Sequence, residues 1–145
     1  PLSVFETAVR NLRERGIEVI VHTILGLPGE SQEDILATMK YLNHRDIQGI
    51  KLQLLHVLKD TDLAQEYLEG KFHVYEREEY LNLVIRCLEN LDPEIVIHRM
   101  TGDGPEKLLL APLWTGRKRE VLNLLHHQMK VCDSWQGKQF HSLPE

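Results

Sequence analysis

The sequence has few cysteines and no long apolar segment. Only two of its 145 residues are Cys, 45 positions apart, which excludes a disulfide framework. A bilayer-spanning helix needs about 20 consecutive apolar residues, and the densest run here, residues 17–27, is broken by Glu18, His22 and Thr23. No basic segment followed by an apolar one opens the chain. We therefore expect a cytoplasmic protein with no membrane contact.

The acidic excess is confined to the first two thirds of the chain. Residues 1–97 carry 10 Lys and Arg against 17 Asp and Glu, whereas residues 98–145 carry 7 against 5. Strong nucleic-acid-binding proteins are far more basic than this. The basic triplet 117–119, flanked by Trp114 and Trp135, is one candidate nucleic-acid contact, with a solvated helix face as the alternative.

Alternating helix and strand patterns predict an α/β fold. Residues 17–25, dense in Ile and Val without a helical period, predict a strand buried on both faces of a parallel sheet. Residues 49–58 predict a second buried strand, and residues 95–100 predict a third, short strand. Apolar residues at helical spacing predict the flanking helices, at residues 3–15, 31–42, 63–68, 75–91 and 115–131.

This order of elements predicts the C-terminal half of a partial βα (TIM-like) barrel, with about three parallel strands, flanking helices and a C-terminal helical extension. We assign residues 1–100 to the half-barrel and residues 101–145 to the loop and helix extension. Three strands leave an open sheet edge. We expect this edge to be covered by an N-terminal half-barrel of the same protein, or by a second copy of the chain in a dimer or larger species.

The cysteines and histidines predict no metal site. Cys87 and Cys132 lie in apolar helical patterns typical of small buried hydrophobes. His22 and His56 fall on neighbouring strands, but a third ligand at suitable spacing is missing. The adjacent pair His126-His127 points in different directions on a helix and is expected at the surface.

A glycine-containing loop at residues 22–31, HTILGLPGES, follows the first predicted strand and leads into a capped helix. Gly26 and Gly29 let the backbone approach a ligand closely, and the free N–H groups of the helix start suit an anion or a polar cofactor group. The loop lacks the Lys and the spacing of a Walker A motif. A phosphate-binding loop and an ordinary tight turn are the alternatives.

Residues 24–42, ILGLPGESQEDILATMKYL, resemble the fifth-strand segment of radical S-adenosylmethionine enzymes. Residues 52–64, LQLLHVLKDTDLA, resemble the sixth-strand segment of the same family. Residues 97–105 and 111–114 are similar to the C-terminal extension of a bacterial subgroup related to the Elongator catalytic subunit and to oxygen-independent coproporphyrinogen oxidases. The resemblance covers nearly the whole chain.

The resemblance implies a protein that binds S-adenosylmethionine and a [4Fe-4S] cluster and generates a 5′-deoxyadenosyl radical to modify a substrate. It implies adenosine contacts by Ile24 and Gly26 and by the backbone at His56 and Val57. The family's Cys-x-x-x-Cys-x-x-Cys triplet, which holds the cluster, is absent from these 145 residues. We therefore expect this part alone to be inactive and to bind neither group.

Polar residues around the third predicted strand suggest a substrate site. His98, Arg99, Asp103 and Lys107 surround the strand end and its loop, and His22 faces the barrel mouth, so these side chains suit an anionic or polar substrate. The relation to Elongator makes tRNA one possibility beside a small molecule. A non-catalytic RNA- or protein-binding α/β module is the alternative function.

Overall fold

A computed structural model describes residues 1–102 and 104–141. Its helices and strands follow the predicted alternation. In chain order they are α1 (Leu2–Arg13), β1 (Ile20–Leu25), α2 (Gln32–Asn43), β2 (Gly49–Leu54), β3 (Val57–Leu58), α3 (Asp62–Leu68), α4 (Arg77–Asn90), β4 (Val96–Arg99), β5 (Leu109–Ala111), a 3₁₀ turn (Leu113–Gly116) and α5 (Lys118–Val131).

The main sheet has three parallel strands in the order β1-β2-β4. Strands β1 and β2 pair in register from Ile20 opposite Gly49 to Leu25 opposite Leu54. The predicted α/β class with three parallel strands and flanking helices is confirmed. The arrangement is that of consecutive βα units in part of a βα barrel.

Helices cover one face of this sheet, which we call the covered face. Ile50, Leu52 and Leu54 of β2 point into it and are at most 1% exposed. Helix α2 contacts α4, α4 contacts α5, and Val9 of α1 joins the same core. Burial of each β2 side chain contributes about 1.5–3 kcal/mol to stability, so this face holds the fold together.

The prediction that the first strand is buried on both faces is wrong. Ile24 is 46% exposed and Val96 of β4 is 57% exposed, because the described helices pack against one face only. Strand β1 also begins at Ile20 rather than at residue 17. The residues before it turn out of α1, where Gly16 has a φ of +72° and Ile17 donates its amide to Leu12 O at 3.1 Å.

The prediction of one strand over residues 49–58 is also wrong. Strand β2 ends at Leu54, and the two-residue β3 pairs antiparallel with β5 in a separate sheet. This small sheet has its own apolar cluster, formed by Val57, Ala64, Val74 and Ala111. The apolar run 49–58 does not reveal that its first part packs in the main core and its second part in the cluster of the small sheet.

The two cysteines differ in their surroundings. Cys87 is fully buried in α4, as predicted, and its burial raises the thiol pKa to about 12. Cys132 is exposed, contrary to prediction, because it lies just beyond the last turn of α5 as its C-cap. His126 and His127 are exposed as predicted.

The described residues contain no helix that is both long and apolar enough to cross a membrane. The division of the chain at residue 100 stays a prediction. Contacts cross it, since β3 pairs with β5 and the Trp114 ring lies 5.6 Å from the Tyr80 ring.

Candidate functional site

The β1–α2 loop begins with Gly26, which has a φ of +86°. The loop ends in a capping box, in which Ser31 Oγ accepts the Asp34 amide at 3.2 Å and Asp34 Oδ2 accepts the Ser31 amide at 2.9 Å. Hydrogen bonds from the Ser31 hydroxyl and amide lower the pKa of Asp34. The start of α2 is therefore fixed by its own side chains.

Glu30 lies behind this loop, partly buried. Burial raises the pKa of its carboxyl group, while hydrogen bonds from the backbone amides of Leu27 and Gly26 partly offset the shift. Its Oε2 atom is buried without a hydrogen-bond partner among the described residues. Because Glu30 adds a partly buried carboxyl group to this loop, the geometry disfavours the phosphate-binding alternative.

The second face of the sheet carries the remaining strand side chains, and we call it the open face. His22 of β1 lies opposite Lys51 of β2, and Ile24 lies opposite Gln53. No acidic side chain belongs to this face within the described strands. Its side chains are those of Ile20, His22, Ile24, Lys51, Gln53, Val96, His98 and Arg99, next to Gly49.

A register shift between β2 and β4 brings two consecutive residues to the open face. Ile50 pairs with Ile97, but the next residue of β2, Lys51, pairs with Arg99. His98 is therefore an extra residue in β4. A Cβ atom at Gly49 would lie 2.6 Å from the His98 ring, and Arg99 Nη1 lies 3.5 Å from Gln53 Oε1. Such bulges re-aim side chains. Here they gather imidazole, ammonium and guanidinium groups.

His56 follows β2 at the same edge of the sheet as Gly26. Thr115 Oγ1 donates to Pro112 O at 2.9 Å and lies 3.2 Å from His56 Nε2. The tautomer of His56 that is protonated at Nε2 donates to Thr115 Oγ1 and leaves the single Thr115 proton on Pro112 O. Gly102 packs on the other side of the ring, where a Cβ atom would lie 2.5 Å from His56 Cε1.

The structure brings most of the predicted site residues to one edge of the sheet. Ile24 lies near the end of β1, Gly26 follows that strand directly, and His56 follows β2. Val57 is fully buried in the small sheet, so only its backbone is available to a ligand. Asp103 lies outside the described residues. Lys107 is exposed beyond the small sheet, where its carbonyl accepts Lys59 Nζ at 3.3 Å.

Sequence reasoning missed Lys51, Gln53 and Gly49. The signal was the alternation in β2, where Gly49, Lys51 and Gln53 interleave with three apolar residues, a period of two that marks a half-covered strand. Lys51 is half-buried, and its ammonium group forms no ion pair within the described residues. Arg99 has a hydrogen bond to Gln53, so Lys51 is the cation of this face with the fewest partners among the described residues.

The described residues do not suit a metal cluster. No group of three or more His, Cys, Asp and Glu side chains in the described part of the chain lies close enough to hold a metal ion. Cys87 is buried in the core and Cys132 is exposed at the end of α5. A [4Fe-4S] cluster needs Cys thiolates gathered at one point, so these residues cannot supply its site.

The region near the basic triplet is a poor platform for stacking bases. Trp114 is half-buried, with its indole N–H bonded to Tyr75 O at 3.1 Å. Trp135 is 54% exposed, with the Lys138 ammonium 5.0 Å from the ring centroid. Glu120 lies close to both Arg117 and Arg77 and reduces the local positive charge. These contacts favour a structural interpretation of the triplet.

The chain consists of parallel βα units, with a glycine loop and polar side chains at the carboxyl edge of the strands. These features define a βα-barrel type of protein. Residues 47–131 match the Radical SAM C-terminal domain, and the chain belongs to this family.

Three relatives illustrate how far the similarity extends. The chain is 41% identical to the uncharacterized protein YtqA of Bacillus subtilis, over 94% of the chain and 42% of YtqA. It is 30% identical to a tRNA uridine(34) acetyltransferase of Dehalococcoides mccartyi, over 83% of the chain and 27% of that protein. The solved structure of Methanocaldococcus infernus Elp3, lacking residues 1–46, superposes with a TM-score of 0.72 at 18% identity, over 89% of the chain and 31% of Elp3. The last likeness concerns the fold alone.

The chain thus spans about two fifths of YtqA, and an equal share, 42%, of the uncharacterized protein MJ0486 of Methanocaldococcus jannaschii.

Proposed function

We propose that this chain forms the C-terminal half of the cofactor-binding barrel of a longer radical S-adenosylmethionine protein. The cluster ligands would come from the other half, because the described residues cannot hold a [4Fe-4S] cluster. Bound S-adenosylmethionine supplies the radical chemistry of the family, and this chain positions its adenosine part and the substrate.

One observation carries the proposal: the two segments expected to contact adenosine lie side by side. Strands β1 and β2 are neighbours, and the Leu55 amide donates to Leu25 O at 3.0 Å just before Gly26 and His56. Ile24 offers an exposed apolar side chain to a flat ring, and Gly26 leaves room for close approach. His56 is oriented by Thr115, and Val57 contributes its backbone.

The open face suits an anionic substrate. Lys51 contributes an ammonium group and Arg99 a guanidinium group, and His22 and His98 add hydrogen-bonding imidazoles. We assign these four side chains to substrate binding, together with Asp103, which the sequence alone suggests. A 30% identical relative bears the name of a tRNA uridine(34) acetyltransferase, so tRNA is the first substrate class to test, ahead of small anions.

The open face and the free edge of β1 need a cover. Ile20, Ile24 and Val96 are each at least 37% exposed there, and an unpaired strand edge promotes pairing with another chain. The N-terminal half-barrel of the same protein is the proposed cover. In its absence the 145-residue chain should form a dimer or larger species in light scattering after size exclusion. A monomer at high concentration would contradict this expectation.

The decisive experiment uses a longer form of the protein that includes the proposed N-terminal half-barrel. This form is reconstituted with iron and sulfide without oxygen and is assayed for 5′-deoxyadenosine after addition of reductant and S-adenosylmethionine. Release of this product supports the proposal. Failure to assemble a cluster would instead favour a non-catalytic binding module, which salt-sensitive RNA binding would identify.

A matched pair of substitutions ties that result to this chain. Ile24→Asp places a charge where the adenine is proposed to lie and should weaken S-adenosylmethionine binding at least tenfold, an effect of about 1.4 kcal/mol. Val131→Asp changes an equally apolar side chain that is 70% exposed at the end of α5 and should leave binding unchanged.

A further inference from the structure

One short segment of the C-terminal region contacts His56 directly and reaches Gly26 through Tyr75. The 3₁₀ turn Leu113–Gly116 contains Trp114 and Thr115 as neighbours. Thr115 holds His56 through the 3.2 Å contact to Nε2, and Trp114 holds the segment that carries Tyr75. Both residues belong to the region that the sequence assigns to an extension beyond the half-barrel.

Tyr75 connects this turn to the glycine loop. A Cβ atom at Gly26 would lie 2.8 Å from Tyr75 Cε2 and 3.9 Å from Leu54 Cδ1. Leu54 points into the covered core and is 1% exposed. Tyr75 therefore supports Gly26 from the covered side and leaves the opposite side of the loop available to a ligand.

The position of Trp114 is itself well determined. Its indole Nε1 donates to Tyr75 O at 3.1 Å, and its ring packs against Tyr80 with a centroid distance of 5.6 Å. Tyr80 is fully buried, and its hydroxyl donates to Met100 O at 2.9 Å. Trp114 thus links the end of β4, the start of α4 and the support behind Gly26.

We propose that Trp114 and Thr115 are positioning residues for S-adenosylmethionine, with Trp114 acting through Tyr75 on Gly26 and Thr115 acting on His56. This inference rests on the proposed function, because it assumes that Gly26 and His56 contact the cofactor. It assigns a role to the C-terminal region, which fixes both binding segments relative to each other.

The first test needs only the 145-residue chain and no cofactor. Trp114→Phe keeps an aromatic side chain but removes the indole N–H donor, and we expect it to shift the NMR signal of the Gly26 amide. Thr115→Val removes the hydroxyl and should shift the His56 imidazole ¹⁵N signals, whereas Thr115→Ser should restore them. Trp135→Phe alters the exposed second tryptophan and should move neither signal. Unchanged Gly26 and His56 signals in folded Trp114→Phe and Thr115→Val chains would overturn the inference.

The second test measures S-adenosylmethionine binding and turnover by the longer form. Loss of one hydrogen bond behind the site should raise Kd and KM for S-adenosylmethionine about two- to tenfold, with kcat near that of the unaltered protein. Thr115→Ser should bind as the unaltered protein does. A merely structural role would lower the melting temperature without this split between KM and kcat.

The two failures are distinguishable. If the unaltered longer form does not bind S-adenosylmethionine, the proposed function fails and the cofactor role of Trp114 and Thr115 fails with it. If it binds, and folded Trp114→Phe and Thr115→Val bind with unchanged Kd, only the positioning role is overturned.

Discussion

The two faces of the main sheet differ in burial and in polarity. On the covered face, Ile50, Leu52 and Leu54 are buried among helices and contain no polar side-chain atom. On the open face, the same strand places Lys51 and Gln53 beside His22, His98 and Arg99. The apolar core therefore lies on one side of β2 and the polar and cationic side chains lie on the other, although the residues concerned are adjacent in sequence.

The largest expected effect comes from breaking the covered face. Leu52→Ala deletes a fully buried side chain and should lower the free energy of unfolding by about 2–5 kcal/mol. Ile24→Ala on the open face should cost far less, because that side chain is 46% exposed. Urea unfolding of both variants measures the difference, and equal losses would show that the open face is already covered in solution.

A smaller loss of stability is expected from adding a side chain at Gly49, where the His98 ring occupies the Cβ position. Gly49→Ala directs a Cβ atom to 2.6 Å from the His98 ring and should destabilise the chain by about 1–3 kcal/mol or displace that ring. Gly116→Ala is the matched control, since nothing lies within 4 Å of its Cβ position. Thermal unfolding and the His98 NMR signals report the two effects, and a silent Gly49→Ala would contradict the described His98 position.

Glu30 allows a test of the β1–α2 loop. Burial raises the pKa of its carboxyl group above the ordinary value of 4.5, so the folded state disfavours the ionised form. The stability associated with the protonated group is present below pH 4.5 and is lost as pH rises through the folded-state pKa. Glu30→Gln should therefore gain stability over the unaltered chain as pH rises from 4 to 7, measured by urea unfolding. A constant difference across this range would show that the pKa is not raised.

The smallest effect on stability is expected at Lys51. Its ammonium group has no ion-pair partner among the described residues, so Lys51→Met should change the free energy of unfolding of the 145-residue chain by about 0.5 kcal/mol or less. In the longer form the same change should weaken binding of an anionic substrate. Unfolding and a salt-dependent tRNA binding assay separate the two outcomes, and unchanged affinity would remove Lys51 from the proposed site.

The order of the helices and of the three main-sheet strands was predictable, because helical spacing and apolar strand runs depend on local sequence. The glycine loop and its capping box were predictable for the same reason, since Ser31 and Asp34 lie three residues apart. The family resemblance, rather than any spacing, pointed to Ile24, Gly26 and His56.

Three features required the fold itself. The split of residues 49–58 depends on β5, which lies more than fifty residues downstream of β3. The exposure of Ile24 depends on which face the helices cover. The shared face of His98 and Arg99 depends on a register shift that no alternation in β4 reveals. All three are consequences of long-range packing.

The extra residue in β4 also makes the length of that strand a variable of the site. Deletion of His98 would make Ile97 and Arg99 consecutive residues. Pairing of β4 with β2 would then be regular, with Arg99 still opposite Lys51. A chain shortened by one residue would thereby lose an imidazole and uncover Gly49 while it keeps its guanidinium in place. Single-residue gain or loss at this position would thus change the polar groups of the open face while the pairing of the sheet is kept.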